Sequence, residues 1–197
     1  MTFDSQKFKQ WAGDSQLRAL QADFARYRDQ GCNPWRLEGF WSLIIYRFQK
    51  IVRNRQPRWL WWPARIILGL FWRINATFTH IYIGPDADIG PGLFIPHPGP
   101  IWVHPKTKIG AGCTIYHLCS IVEGPVPGGA TIGDGVFLAC NTSIIGGVKI
   151  GDGALVAANS SVISDVPAGA TAIGVPAKIV PKMWASADAK KAPVATQ

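Results

Sequence analysis

The sequence predicts a mainly β protein, a solenoid wound in six-residue units behind a helical region. The strongest observation is a ladder of six apolar residues, Ile132, Leu138, Ile144, Ile150, Val156 and Val162, spaced six apart without a miss. A helix repeats every ~3.6 residues and a plain strand every two, so this period fits neither. It fits short strands joined at corners. A second observation is that small residues follow the apolar ones, as in Ile132-Gly133, Leu138-Ala139, Ile150-Gly151 and Val156-Ala157. Backbone crowding at a corner favours such residues. A sandwich of short strands is the competing arrangement, but sandwich strands do not repeat at fixed sixes.

The ladder continues upstream with two defects. Ile83, Ile89, Ile95 and Ile101 form one register, and Val103, Ile109, Ile115 and Ile121 form another, displaced by two residues. From Ile121 to Ile132 the step is eleven residues, so five are extra. The surplus lies in the Gly/Pro-rich run from Glu123 to Ala130, which reads as a loop thrown out from one corner.

Ahead of the ladder, residues 1–79 read as helical. A first helix is expected over Gln16 to Tyr27, capped by Asp14 or Ser15 and broken by Asn33-Pro34. A second is expected over Leu37 to Arg53, with Phe40, Leu43, Ile44 and Phe48 on one face. A third is expected over about Leu60 to Thr77, with Pro63 tolerable only in its first turn. The solenoid occupies residues 80–180 in about five coils. Residues 181–197 read as a polar tail, mobile beyond its first few positions.

Composition narrows the classes. Cys32, Cys113, Cys119 and Cys140 include no C-x-x-C pair and no metal-ligand spacing, so they read as reduced thiols, three of them small apolar fillers in the repeats. With a polar N-terminus this suggests a cytoplasmic protein. Most of the net charge of +8 lies in residues 35–73, which hold eight Lys/Arg against Glu38 alone, together with six of the nine Trp. No nucleic-acid motif accompanies them. The apolar run from Trp59 to Ile74 is interrupted by Pro63, Arg65 and Arg73 and falls short of the ~20 residues of a spanning helix. Two readings stay open: a peripheral contact with an anionic membrane face, or aromatics that pack the helices together and against a neighbouring subunit. A flat-sided solenoid also tends to associate, and a closed homotrimer matches a three-sided prism.

The hexapeptide ladder, the loop after Ile121 and the closing string Gly174-Val175-Pro176-Ala177-Lys178-Ile179-Val180 together resemble the hexapeptide acyltransferases. Within that group the chain is most similar to the serine acetyltransferases. The likeness reaches the helices through Ala22-Asp23-Phe24-Ala25, Asn33-Pro34 and Gly39-Phe40-Trp41-Ser42-Leu43 followed by Tyr46-Arg47. The resemblance implies a left-handed parallel β-helix, trimeric assembly, acetyl-CoA as donor and a histidine base. No metal is expected: a metal enzyme on this fold needs three histidines at characteristic spacing, and His97, His104 and His117 supply no pair five residues apart.

Acetyl transfer from a thioester to a hydroxyl needs a base, donors for the developing oxyanion and a groove for the pantetheine arm. Imidazole suits the first role because its ordinary pKa lies near working pH. His97, in Ile95-Pro96-His97-Pro98-Gly99-Pro100, stands two residues past a ladder position, and the resemblance implies that it is the base. The alternative is a corner histidine with no role. His117 stands two residues past Ile115, which predicts that it shares a corner with His97 on the next coil, about 5 Å away. It could orient His97, bind the acceptor or lower its neighbour's pKa by repulsion; the alternative is a stacked pair without a catalytic part. The resemblance also places Ala139, Cys140, Ala158 and Lys178 along the CoA channel, with Lys178 set to meet a phosphate.

The chain departs from the family on the acceptor side. Pro96 stands where an Asp normally precedes the base, Asn33 where an Asp precedes the helical-region proline, and Pro125 to Ala130 lack the usual Arg-His pair. A serine ammonium would lose counter-ions at about 1–3 kcal/mol each. On this basis the expected activity is O-acetylation of a sugar hydroxyl of an exopolysaccharide or its precursor, in the cytoplasm or at the inner membrane face. Serine O-acetylation for cysteine biosynthesis and a non-catalytic scaffold subunit are the alternatives.

Overall fold

The computed structural model describes residues 6–9, 15–125 and 127–181. Asp14, one of the two capping candidates, and the tail beyond Pro181 lie outside the described residues. A short helix, α1 (Gln6–Lys9), is followed by α2 (Gln16–Asp29), a 3-10 turn (Pro34–Arg36), α3 (Glu38–Arg53) and α4 (Trp62–Thr79). The Ser15 hydroxyl caps α2 by accepting from the Arg18 N–H. Asn33 accepts from the Trp35 N–H and starts the 3-10 turn at Pro34. Glu38 in the first turn and Lys50 and Arg53 in the last complement the dipole of α3. Pro63 falls at the start of α4, where its missing N–H costs nothing.

From Ile81 the chain winds through three sheets. The first joins Ile81–Ile83, Ile101–Val103, Ser120–Val122, Ser143–Ile145 and Ser161–Val162, all in parallel. The second joins four parallel strands from Asp88–Ile89 to Lys149–Ile150. The third runs from Thr114–Ile115 to Thr171–Ile173 and ends on the antiparallel strand Lys178–Val180. Five coils of parallel strands are consistent with a left-handed β-helix.

The apolar ladder is the core of this rod. Ile83, Val103, Ile121, Ile144 and Val162 stack in register on the first sheet, and Ile115, Leu138 and Val156 on the third; none is more than 2% exposed. Each such side chain withdrawn from water contributes about 1.5–3 kcal/mol, which is why every ladder position stays apolar and buried. In the later coils, Lys149 pairs with Thr131, Leu155 with Phe137 and Ser161 with Ser143, an offset of 18 on all three faces. Both defects are located. Thr131 pairs with Lys108 at an offset of 23, so the five extra residues leave the rod between Val122 and Thr131. The two-residue shift arises at the corner holding Pro98-Gly99-Pro100, since Phe94 still pairs with Thr114 while Trp102 pairs with Ser120.

The helices cap the first coil through a buried ion pair. Arg47 on α3 and Asp23 on α2 are both fully buried. The Arg47 guanidinium donates to Asp23 Oδ2 at 3.0 Å and Oδ1 at 3.3 Å, Gln16 Oε1 at 3.1 Å, Ile89 O at 2.6 Å and Gly90 O at 2.7 Å, so all five N–H donors are used. Asp23 Oδ1 also accepts from the backbone N–H groups of Gly92 and Leu93. Burial pushes the Asp23 carboxyl up, against the pull of Arg47 and those two N–H groups.

Two expectations for the basic segment need correction. Arg47 is internal structure rather than surface charge, and Lys50 is tied down as well, donating to the Ala87 carbonyl at 2.7 Å. Phe48 does not join the buried face of α3: Phe40 and Leu43 pack inward with Tyr46, while Phe48 stays 41% exposed. Of the tryptophans, Trp35 packs against Phe24 of α2 and Phe40 of α3, while Trp59 and Trp62 are exposed.

Candidate active site

His97 stands exposed at the corner leaving the third sheet, and its position is set from the helices. The Tyr27 hydroxyl on α2 accepts from the Ile95 N–H at 3.1 Å and donates to the Ile95 carbonyl at 3.0 Å, fixing the backbone two residues ahead of His97. Burial pushes the Tyr27 phenol up, so it stays a neutral donor. Gly39 on α3 closes on the same residue: a Cβ there would overlap the Ile95 carbonyl oxygen and approach the Ile95 Cβ to 2.7 Å. Only a residue without a side chain lets α3 lie this close. Tyr27 and Gly39 thus clamp Ile95 from two helices.

His117 lies beside His97 on the next coil, with ring centroids 5.8 Å apart and planes at 81°. The predicted spacing and shared corner are therefore present. The His117 Nδ1 is buried and has no hydrogen-bond partner among the described residues. Register carries the column on: Ile115 pairs with Leu138 and Leu138 with Val156, which places Cys140 and then Ala158 at the position of His117 on successive coils. Backbone bonds run along this edge, from Asn141 N to His117 O and from Asn159 N to Cys140 O. Ala139 is one step off the column, and its carbonyl accepts from the Thr142 hydroxyl at 2.6 Å. Lys178 lies exposed on the last strand, opposite Ile173. His97, His117, Cys140 and Ala158 thus share one edge, with Ala139 adjacent and Lys178 beyond it at the C-terminal end of the rod.

Three features of this region escaped the sequence reading. The Tyr116 ring packs 5.6 Å from that of His97 and 5.2 Å from that of Phe137, walling one side of the imidazole. Asn141 donates to Asn159 at 2.7 Å, a polar rung beside the column. Their 18-residue spacing, one full coil, was a usable signal. The extruded loop also carries polar groups at its base: Glu123 accepts from Lys106 Nζ at 3.1 Å and from the Gly128 N–H at 3.2 Å, with His104 Nε2 at 3.7 Å. The Gly128 N–H, followed by Lys106, holds the Glu123 carboxyl below its usual range. Elsewhere, burial pushes the Cys113 thiol up to about 12, in keeping with an inert filler.

The arrangement offers an exposed imidazole on a rigid corner, a second imidazole alongside, and an edge of small residues leading away along the rod. That is sufficient for proton abstraction at one end and an extended thiol ester along the other.

Comparison with known proteins agrees with this geometry. The model of the family described as "Bacterial transferase hexapeptide (six repeats)" matches residues 129–164, the unbroken part of the ladder. A serine acetyltransferase of Mycobacterium tuberculosis is 31% identical over 176 residues, covering 83% of this chain and 73% of the relative. One from Helicobacter pylori is 32% identical over 173 residues, covering 84% of this chain and 94% of the relative. A solved serine acetyltransferase in complex with CoA superposes with a TM-score of 0.70 at 27% identity, covering 89% of this chain and 73% of that one.

These matches overturn the expectation of a sugar hydroxyl as acceptor and favour the serine alternative. The expectation rested on charges missing at Asn33, Pro96 and the loop. In this structure the Asn33 side chain accepts from the Trp35 N–H at 3.2 Å. With its solenoid, its helical cap and more than 30% identity to relatives over most of both lengths, the chain belongs to the serine acetyltransferase family and is an acyltransferase.

Proposed function

We propose that this protein is a serine O-acetyltransferase that moves the acetyl group of acetyl-CoA to the hydroxyl of L-serine. The observation that carries the reading is the shared edge of His97, His117, Cys140 and Ala158, in a chain whose relatives bear that name. His97 takes the proton from the serine hydroxyl as its oxygen attacks the thioester carbonyl. When the tetrahedral intermediate collapses, the carbon–sulfur bond breaks and the proton on His97 passes to the departing CoA sulfur. His117, whose ring lies beside that of His97, orients it or holds the acceptor. The pantetheine lies against Ala139, Cys140 and Ala158, where side chains are small enough for close approach, and Lys178 meets a CoA phosphate as a point charge. The same reading includes a homotrimer, in which a neighbouring rod laid against a flat face would turn this edge into a groove.

The test is a panel of hydroxyl acceptors offered with acetyl-CoA: L-serine, L-threonine, L-homoserine and free sugars. The expected result is ester formation on L-serine, with the homologues turned over more slowly. Turnover of none of the amino acids would overturn the reading.

A further inference from the structure

We infer that the outer face of α4, with the loop before it, is a docking surface for an anionic phospholipid bilayer. The helix packs inward with Asn75 and Ala76, while Ile66, Ile67, Leu70, Phe71, Ile74 and Phe78 all face solvent. Their spacing makes them one continuous face. Phe78 is 82% exposed, and Trp59 in the preceding loop 76%. An apolar face of this extent marks an interaction site. Among the described residues no helix is long and apolar enough to cross a membrane, so the face suits lying in an interface rather than spanning it.

Charge selects the occupant. Residues 54–78 carry Arg55, Arg58, Arg65 and Arg73 and no acidic residue. A second copy docked on this face would bring arginines against arginines with no carboxylate from the segment to pair them. An anionic leaflet supplies a phosphate for each, while Trp59 and Trp62 sit where indoles favour the headgroup level.

The local geometry supports phosphate binding. Arg58 and Arg65 line a shallow depression together with Trp59 and Trp62. The same two arginines, with Arg53 and Arg73, line an adjoining cavity of about 430 Å³ between α3 and α4. That cavity mixes apolar walls with polar groups. The Arg65 Nη2 donates to the Arg53 carbonyl at 2.9 Å, but among the described residues its buried Nε has no partner, nor has the Oε1 of Gln49, which is 9% exposed. A phosphodiester between Arg58 and Arg65 would meet the guanidinium donors and leave its glycerol hydroxyls for Gln49. Its acyl chains would then lie beside Trp59, Trp62 and Ile66.

Vesicle flotation of the full chain tests this. The protein is expected to float with vesicles of phosphatidylcholine mixed with phosphatidylglycerol, to stay behind with pure phosphatidylcholine, and to be released by raised salt. Arg58→Gln with Arg73→Gln should weaken binding about fivefold per arginine removed. Ile67→Ser with Leu70→Ser and Phe71→Ser should abolish it, with unchanged circular dichroism melting to show that both variants fold. Four results would overturn the proposal: no flotation of the wild type, flotation unaffected by the triple serine variant, equal binding to uncharged vesicles, or displacement by inorganic phosphate alone, which would assign the arginines to a free anion. A wild type that ignores lipid, and whose oligomer the triple serine variant dissociates, would assign the face to a second copy.

Discussion

Replacing His97 with alanine lowers acetyl transfer to L-serine about 10³-fold and leaves thermal unfolding unchanged. The size follows from what a positioned general base contributes, about 10²–10⁴ in rate. The unchanged stability follows from exposure. The ring stands at the corner outside the ladder, and the bonds that hold this corner run through the Ile95 backbone to Tyr27 rather than through the imidazole. The loss should appear mainly in kcat, because removing a proton acceptor affects the transition state more than substrate binding. His117→Ala should cost less in kcat, since its ring lies alongside the base rather than in its place. Steady-state thiol release from acetyl-CoA measures both. Equal rates for wild type and His97→Ala would remove the base from the mechanism.

Asp23→Ala destabilises the fold by about 3–5 kcal/mol, the cost of leaving one member of a buried ion pair without the other. Arg47 would keep its bonds to Gln16, Ile89 and Gly90 but lose both to the carboxylate, inside a site with no access to water. The Gly92 and Leu93 N–H groups would lose their acceptor as well. Against a typical stability of about 5–15 kcal/mol the change is large. It should be read by urea unfolding, as a lower midpoint. Asp23→Asn retains an acceptor oxygen and should fall between. Because α2 also carries Tyr27, loosening it releases the clamp on Ile95, so activity in Asp23→Ala should fail at lower temperature than in the wild type. An unchanged unfolding midpoint would show that the pair is not what joins helices to rod.

What could be read from the sequence follows from where the order lies. A rod that repeats has a one-dimensional code. Every ladder residue from Ile83 to Val162 is buried, and the five-residue surplus leaves the rod in the loop from Glu123 to Ala130 as the spacing indicates, whereas the two-residue shift falls at Pro98-Gly99-Pro100, ahead of Ile101 rather than between Ile101 and Val103. The pairing of His97 with His117 came from the same arithmetic. The helical cap has no such code. Tyr27 is 68 residues from Ile95 in the chain, and Arg47 is 42 from Ile89, so only the folded packing reveals these bonds. The count of basic residues in 35–73 therefore includes Arg47, which is internal. The expectation of a sugar acceptor rests on three absent charges, at Asn33, Pro96 and the loop, and similarity over most of the chain outweighs so local a pattern.

The most direct test of the account is a crystal structure of the protein with CoA and L-serine bound. The account predicts the serine hydroxyl within hydrogen-bond reach of a His97 ring nitrogen, about 2.6–3.2 Å. It also predicts the pantetheine running past Ala139, Cys140 and Ala158 towards Lys178. CoA bound on another edge of the rod, or serine held away from His97, would contradict it.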